Sequence, residues 1–222
     1  LGVDEPTILP SSPFYAFKDL WRGAKVMFTF NKIAKAEKRL KIANERLTEA
    51  KKVAEEKGEE AQSHLDKALE KYNKEMEKVE KAIEKVKGRA VDNSAMEKFA
   101  NNLADSEIKK QKIFQIMEEK SSEEAKMKIM EAKEKSAQVF GKILTVVVSQ
   151  EKIAGHINNA LENQTGSELR SFKNLEILKE LEEKVPEEAR DAIRQAEENT
   201  LARLGEAMNK METGERVIKI KK

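Results

Sequence analysis

The two histidines and the glutamates near them are the residues of this sequence whose types could bind a metal ion. His64 follows Glu60 by four residues, which places both side chains on one face of a helix. His156 follows Gly155 within a predicted helix. Transition-metal sites usually need three or four converging ligands, and neither His-Glu-x-x-His nor Glu-x-x-His occurs. We therefore interpret both histidines as solvated or capping side chains, with a weak metal pair at His64 as the alternative.

Paired glutamates recur along the chain, but their spacing is not that of a catalytic dyad. Adjacent residues of a helix point about 100° apart, so pairs such as Glu118 and Glu119 do not converge. A loose calcium site around residues 55–60 is an alternative, although the Asp, Asn and Gly loop of tight calcium sites is absent. Cys is absent, as are the glycine-rich motifs that bind nucleotides. The sequence predicts no catalytic residue, no cofactor and no metal ion.

The composition of the chain indicates its structural class more clearly than its activity. The chain carries 43 basic and 41 acidic side chains, so a nucleic-acid partner is not expected. Charged residues make up 38% of the chain, whereas Gly and Pro number only 9 and 4, a mixture typical of long amphipathic helices. No apolar run approaches the roughly 20 residues of a membrane span, so no transmembrane span is predicted.

The segment that must position any docking surface is the beginning of the chain, residues 1–30. Three prolines predict an extended arm over residues 1–12. An amphipathic helix is predicted to follow, with six of the eleven aromatic residues of the chain between positions 14 and 30. The candidate partner-binding or membrane-binding residues are Phe14, Phe17, Trp21, Phe28 and Phe30.

Two interpretations of this aromatic helix are open. It could dock on a membrane or a protein partner, as interfacial helices do. It could instead be a large contribution to the bundle core or a lid over one end, and we favour this second interpretation because aromatic side chains dominate the cores of most soluble proteins.

Residues 31–214 predict an all-α, elongated antiparallel bundle of coiled-coil-like helical hairpins. Apolar residues alternate at spacings of three and four over residues 33–50 and 65–86, with breaks near Gly58 and Gly88. Ser94 and Glu97 form a capping box for a third helix. The same spacing continues from Ala125 to Ile157, which predicts one rod of about 50 Å, although the β-branched run over residues 143–148 weakens it.

The remaining predicted helices cover residues 169–181 and 186–211, and the last eight residues, 215–222, form a basic tail. Ser136, Gln150 and Thr200 are polar residues on otherwise apolar helix faces, and we interpret them as positions that set the register of packing. Asn163-Gln164-Thr165 is a glycosylation sequon in a predicted turn.

Two patches of the sequence resemble a known family. The first is Leu9-Pro10-Ser11-Ser12-Pro13-Phe14-Tyr15 with Phe28-Thr29-Phe30 and the Ala43-Asn44-Glu45-Arg46-Leu47 stretch, and the second is Val185-Pro186-Glu187-Glu188-Ala189. Both resemble a domain of unknown function found in secreted and envelope proteins of bacteria and archaea. The resemblance implies an all-helical, exported domain and supplies no activity. Family members tend to carry Asp-Pro after Phe-Thr-Phe, whereas Asn31-Lys32 stands here.

The sequence opens at Leu1 without an initiator Met, which we interpret as a removed targeting segment or a trimmed chain. The leading hypothesis is an exported, non-enzymatic structural or interaction protein of the cell envelope or extracellular space. It would act through helix surfaces, by self-association or by binding a protein partner, with peripheral membrane contact as a further option. The alternative is an apolar-ligand (lipid) binder or holdase-type chaperone that uses residues 14–30 and the methionines Met127, Met130, Met208 and Met211.

Overall fold

The computed structural model describes residues 1–55, 61–86, 94–164 and 170–211. These ranges contain eight α-helices and no strand. The helices are α1 (Tyr15–Met27), α2 (Lys32–Ala54), α3 (Ala61–Glu84), α4 (Ser94–Lys120), α5 (Glu123–Val147), α6 (Gln150–Glu162), α7 (Arg170–Lys184) and α8 (Glu187–Met211). The predicted all-α class is confirmed, and the predicted turns at Gly58 and Gly88 and the tail at 215–222 lie outside the described residues.

Helices α2, α3, α5 and α4 pack in a ring around one apolar core. Helices α2 and α3 are antiparallel, because Lys32 lies beside Lys85 and Arg39 beside Glu75. Helices α3 and α5 run in the same direction, since Tyr72 contacts Ser136 and Glu80 lies beside Lys142. The ring is therefore built from two helical hairpins placed side by side.

A second group of helices shares two walls with the first. Helix α6 packs on α4 and α8, and α8 packs on α5 and α7. Gly141 of α5 permits the close approach, because a Cβ atom there would lie 2.6 Å from Cδ of Pro186. Helices α4 and α5 thus belong to both groups, and the apolar core continues from one group into the other.

The predicted rod over residues 125–157 is wrong, because the helix ends at Val147 and a new one begins at Gln150. Val148 and Ser149 between them have extended backbones. Three consecutive valines have low helix propensity, and Ser149 is a residue type that favours the position before a helix. The apolar spacing continues across the break because both helices face the same core.

Local signals explain where other helices begin. The Asn31 side chain accepts a hydrogen bond from the Ala34 amide at 3.0 Å, and the Ser122 side chain accepts one from the Ala125 amide at 3.3 Å. Helix α4 begins at Ser94, as the capping box predicts. The arm before α1 is non-helical as predicted, and it lies against α2 through Glu5, which pairs with Lys52 at 3.1 Å.

Candidate functional site

Helix α1 turns its apolar side to solvent. Phe17 is 71% exposed and Trp21 is 65% exposed, whereas Tyr15, Arg22 and Val26 on the opposite side are buried. The exposed apolar face, as we call this surface, also includes flanking residues from Phe14 to Phe30. Its members are Phe14, Phe17, Leu20, Trp21, Met27, Phe28 and Phe30.

This surface is large for a protein of this size. At about 200 Å² for each aromatic side chain, the exposed fractions of the five aromatic members, from 65% to 92%, amount to roughly 700 Å². Monomeric proteins rarely expose more than about 300–600 Å² of contiguous apolar surface. The favoured interpretation of these five aromatics as core or lid residues is therefore wrong. The helical period identified the residues that share a face, but the opposite face is the one that packs.

A buried carboxylate, Glu49 of α2, holds the inner face of α1. Its Oε2 accepts a hydrogen bond from the Tyr15 hydroxyl at 2.5 Å, and its Oε1 accepts bonds from Lys18 at 2.7 Å and Arg22 at 2.8 Å. Arg46 also donates a hydrogen bond to Oε2 of Glu49, at 3.2 Å. The Glu49 side chain has no exposed surface. We call this set of side chains the Glu49 network.

Asp19 and Glu45 complete the attachment of α1. Asp19 pairs with Arg46 and, at 2.9 Å, with Lys71 of α3. Glu45 pairs with Arg22 at 2.7 Å. Few apolar contacts join α1 to the bundle, since Tyr15 and Val26 are the apolar residues that it buries. Charged hydrogen bonds are thus the main attachment of this helix.

The Glu49 network holds its acids in the charged form. Burial by itself would raise the pKa of Glu49, but hydrogen bonds from Arg22, Lys18 and Tyr15 outweigh it and hold that pKa below its ordinary value. Burial by itself would also raise the pKa of Asp19, but hydrogen bonds from Lys71 and Arg46 outweigh it, so that pKa is lowered as well. The network is therefore intact at neutral pH and is weakened by acid.

A cavity of about 290 Å³ lies beside this attachment, between α1, α2 and α3. Eight of its ten lining residues are charged. Each cation in it has a carboxylate partner, for example Arg39 with Glu75 at 3.0 Å and Lys74 with Glu70 at 2.5 Å. The cavity is consequently part of the ion-pair attachment.

A second buried polar group lies at the centre of the first ring. Ser136 of α5 donates to a Glu107 oxygen at 2.8 Å and accepts hydrogen bonds from Tyr72 at 2.7 Å and Lys110 at 2.9 Å. Lys110 also pairs with Glu107 at 2.6 Å, and Gln111 donates to Glu107 at 2.6 Å. We call these five residues the Glu107 cluster.

The chemistry of the Glu107 cluster resembles that of an activated serine, because a lysine and a carboxylate both reach its hydroxyl. All five side chains are buried, however, and Glu107 and Lys110 have no exposed surface. Burial raises the pKa of Tyr72 to about 12. Burial would lower the pKa of Lys110, but Glu107 raises it instead. A substrate has no path to these atoms in this conformation, so the cluster acts as an internal polar connection between three helices.

Sequence reasoning missed most of this cluster. Ser136 was predicted as a polar position on an apolar face, and it is buried. Lys110 stands as an interruption in the apolar stripe of α4, and that interruption was the available signal. The Thr200 hydroxyl donates a hydrogen bond to the Ala196 carbonyl of its own helix at 2.8 Å. Gln150 is exposed at the start of α6, so its interpretation as a register-setting position on an apolar face is wrong.

His156 is buried in the middle of α6, so its interpretation as a solvated or capping side chain is wrong. Nδ1 of His156 lies 2.7 Å from Asn101, and its Nε2 lies 2.9 Å from Glu97. His64 is half-buried at the start of α3, and its predicted neighbour Glu60 lies outside the described residues, as does most of the acidic stretch 55–60. In the part of the chain that the structure describes, no three His, Asp or Glu side chains form a group able to hold a metal ion.

The remaining candidate surfaces lie apart from α1. Met127 and Met130 are 62% and 57% exposed on α5, and Met208 is exposed on α8, whereas α1 packs on α2. The Met211 side chain lies outside the described residues. Asn163 is exposed at the end of α6, where a glycan would meet solvent.

No helix in the described ranges has both the length and the apolar character needed to cross a bilayer.

Comparison with known proteins locates one similarity. No curated protein and no solved structure matches the chain significantly. The first patch that resembles a family lies within a matched segment, and the second patch, around Pro186, lies beyond it. Residues 7–102, which include α1, α2, α3 and the Glu49 network, match the model of a family described as a domain of unknown function, DUF5667.

Proposed function

We propose that this chain is an exported, non-enzymatic interaction protein of the cell envelope or extracellular space, and that it binds through the exposed apolar face of α1. The observation that carries the proposal is the orientation of that helix. Four charged or polar side chains of α1 fix its inner side to α2 and α3, and seven large apolar side chains are left in solvent. An apolar surface of this size on a soluble domain usually marks an interaction site.

The bundle beneath α1 supports this surface. The Glu49 network fixes the rotation of α1 about its own axis, because its hydrogen bonds come from Tyr15, Lys18 and Arg22 on one side of the helix. A surface that is held in place before binding loses less conformational entropy when it binds.

Association of the full chain with the membrane and wall fractions of the source cells tests the proposal. In the face variant Phe17→Ser/Phe28→Ser, association should fall at least tenfold, because two exposed apolar anchors are removed. The matched control is Met127→Ser/Met130→Ser, which removes two apolar side chains of similar exposure from α5. Equal association of the face variant and the control would refute docking through α1, and a protein that stays inside the cell would refute export.

The alternative, an apolar-ligand binder or holdase, relies on the same exposed side chains. Its specific support is the exposure of the methionines on α5 and α8 in addition to α1. This alternative predicts that the chain suppresses aggregation of an unfolded client, and that the α5 double variant weakens this effect as much as the face variant does. Suppression that depends on neither surface would argue against it.

A further inference from the structure

The charges around the exposed apolar face of α1 are unequal in sign. Between residues 13 and 36 the chain carries a single acidic residue, Asp19. That carboxylate points inward, where Arg46 and Lys71 pair with it. The exposed apolar face itself therefore presents no negative charge.

Two lysines, Lys25 and Lys38, lie at the edge of this surface. Lys25 is exposed at the last turn of α1, with its ammonium group 5.5 Å from the centre of the Trp21 ring. Lys38 of α2 reaches the same place, where its ammonium group lies 2.8 Å from the Thr29 hydroxyl and 3.4 Å from the Lys25 carbonyl. Neither lysine pairs with a carboxylate of the residues described. Two unneutralised ammonium groups thus adjoin the aromatic side chains.

The surface offers few hydrogen bonds to a protein partner. Among its seven side chains, the indole of Trp21 has the only polar group. Protein interfaces typically contain about one hydrogen bond per 100–200 Å², which side chains of this surface do not supply. A bilayer makes no such demand, since its acyl region accepts apolar groups and its headgroups accept cations.

We propose that the occupant of this surface is an anionic lipid bilayer. The aromatic side chains enter the boundary between headgroups and acyl chains, and Lys25 and Lys38 lie against the phosphates. The inference rests on the proposed function, because it names the partner of the same surface. Helix α1 lies along the membrane plane, with the bundle on its aqueous side.

Trp21 is the only tryptophan in the chain and a member of this surface, so its fluorescence reports the contact directly. The experiment titrates the full chain with protein-free vesicles of phosphatidylcholine, with or without phosphatidylglycerol. We expect a blue shift of Trp21 emission, and sedimentation of protein with the vesicles, for the anionic mixture. Phe17→Ser/Phe28→Ser retains Trp21 and should lose both signals, whereas Met127→Ser/Met130→Ser should retain them.

The charge variant Lys25→Gln/Lys38→Gln should bind the anionic vesicles roughly 30-fold more weakly, because each lysine near the surface contributes about fivefold. Its control is Lys173→Gln/Lys179→Gln, two exposed lysines of α7 that should leave binding unchanged. Circular dichroism of every variant verifies that the helices are retained, since all these side chains lie on the surface.

Three results would overturn the inference. Equal binding to neutral and anionic vesicles would refute the role of the lysines. A blue shift that appears without vesicles and grows with protein concentration would assign the surface to a second copy of the chain. Failure to bind any vesicle, while association with cell fractions still depends on Phe17 and Phe28, would refute the lipid and leave the proposed function intact.

Discussion

The Glu49 network and the Glu107 cluster have the same chemistry and differ in position. Each centres on a glutamate with no exposed surface, and each includes a lysine and a tyrosine hydroxyl. Glu107 is surrounded by α3, α4 and α5, whose apolar residues close over it. Glu49 lies under α1 alone, and its partner Lys18 is 22% exposed.

This difference determines what must separate to expose each charge. To reach Glu107, three packed helices must open, so a defect there acts on the whole bundle. To reach Glu49, only α1 must leave, and α1 buries few apolar side chains. Equal burial of a carboxylate therefore implies global stability in one region and a locally detachable helix in the other.

The largest effect is expected for Lys110→Met. The substitution leaves Glu107 buried without its cation, which should lower the free energy of unfolding by about 3–5 kcal/mol. Urea unfolding followed by circular dichroism measures the change. The double variant Glu107→Gln/Lys110→Met should recover most of the loss because no unpaired charge remains. A single variant as stable as the original chain would show that the Glu107 cluster is not electrostatically coupled.

Glu49→Gln should act on α1 and spare the bundle. Arg22 and Arg46 lose their shared buried carboxylate, and the free energy of opening α1 should fall by about 2–3 kcal/mol. Hydrogen exchange should accelerate at the amides of α1 and remain unchanged in α3 and α5. The control is Glu45→Gln, whose partly exposed side chain binds Arg22 only and should cost less than about 1 kcal/mol. Global unfolding of the Glu49 variant would remove the distinction between the two regions.

Acid should release α1 by the same route. The pKa values of Glu49 and Asp19 are lower in the folded chain than their ordinary 4.5 and 3.8. Their contribution to stability is complete above those ordinary values and is lost as pH falls through the lowered ones. Fluorescence anisotropy of Trp21 should drop in this acidic range. In Asp19→Asn the drop should occur at higher pH, and an unchanged midpoint would contradict this assignment.

The smallest effects on stability are expected for glycine substitutions that change steric contacts and leave every charge in place. Gly141→Ala places a Cβ atom 2.6 Å from Pro186, so stability should fall by about 1–2 kcal/mol. Gly155→Ala is the matched control, since no heavy atom lies within 4 Å of its added Cβ. That variant should gain about 0.5–1 kcal/mol from helix propensity. Thermal unfolding of both variants measures the pair, and shifts of the same sign would contradict the packing of α5 on α8.

The helical fold follows from the sequence because apolar spacing and capping residues act locally. Ser94 and Ser122 mark helix starts by side-chain chemistry that needs no knowledge of the partner. The break at Ser149 was harder to predict, since the same core face continues on both sides of it. At this point the low helix propensity of the valine run opposes the helical spacing of the apolar residues, and that spacing alone does not show where the helix ends.

The orientation of α1 could not be predicted from its period. An amphipathic pattern identifies two faces, and the apolar one is buried in most helices. Here Tyr15 and Arg22 on the polar face meet Glu49, and that match depends on a residue of another helix. The Glu107 cluster was missed for the same reason, because Lys110 and Ser136 are far apart in sequence and become meaningful only as a pair.

The sharing of α4 and α5 between two groups of helices affects how the chain can be divided. The segment that matches the family model stops at residue 102, within α4 and before α5 begins. Cut at that point, α3 would lose the wall on which Tyr72 rests, and its apolar residues would meet water. The segment recognised by similarity is therefore smaller than the packed core to which it contributes, and protein engineering of α1 should keep the downstream helices attached.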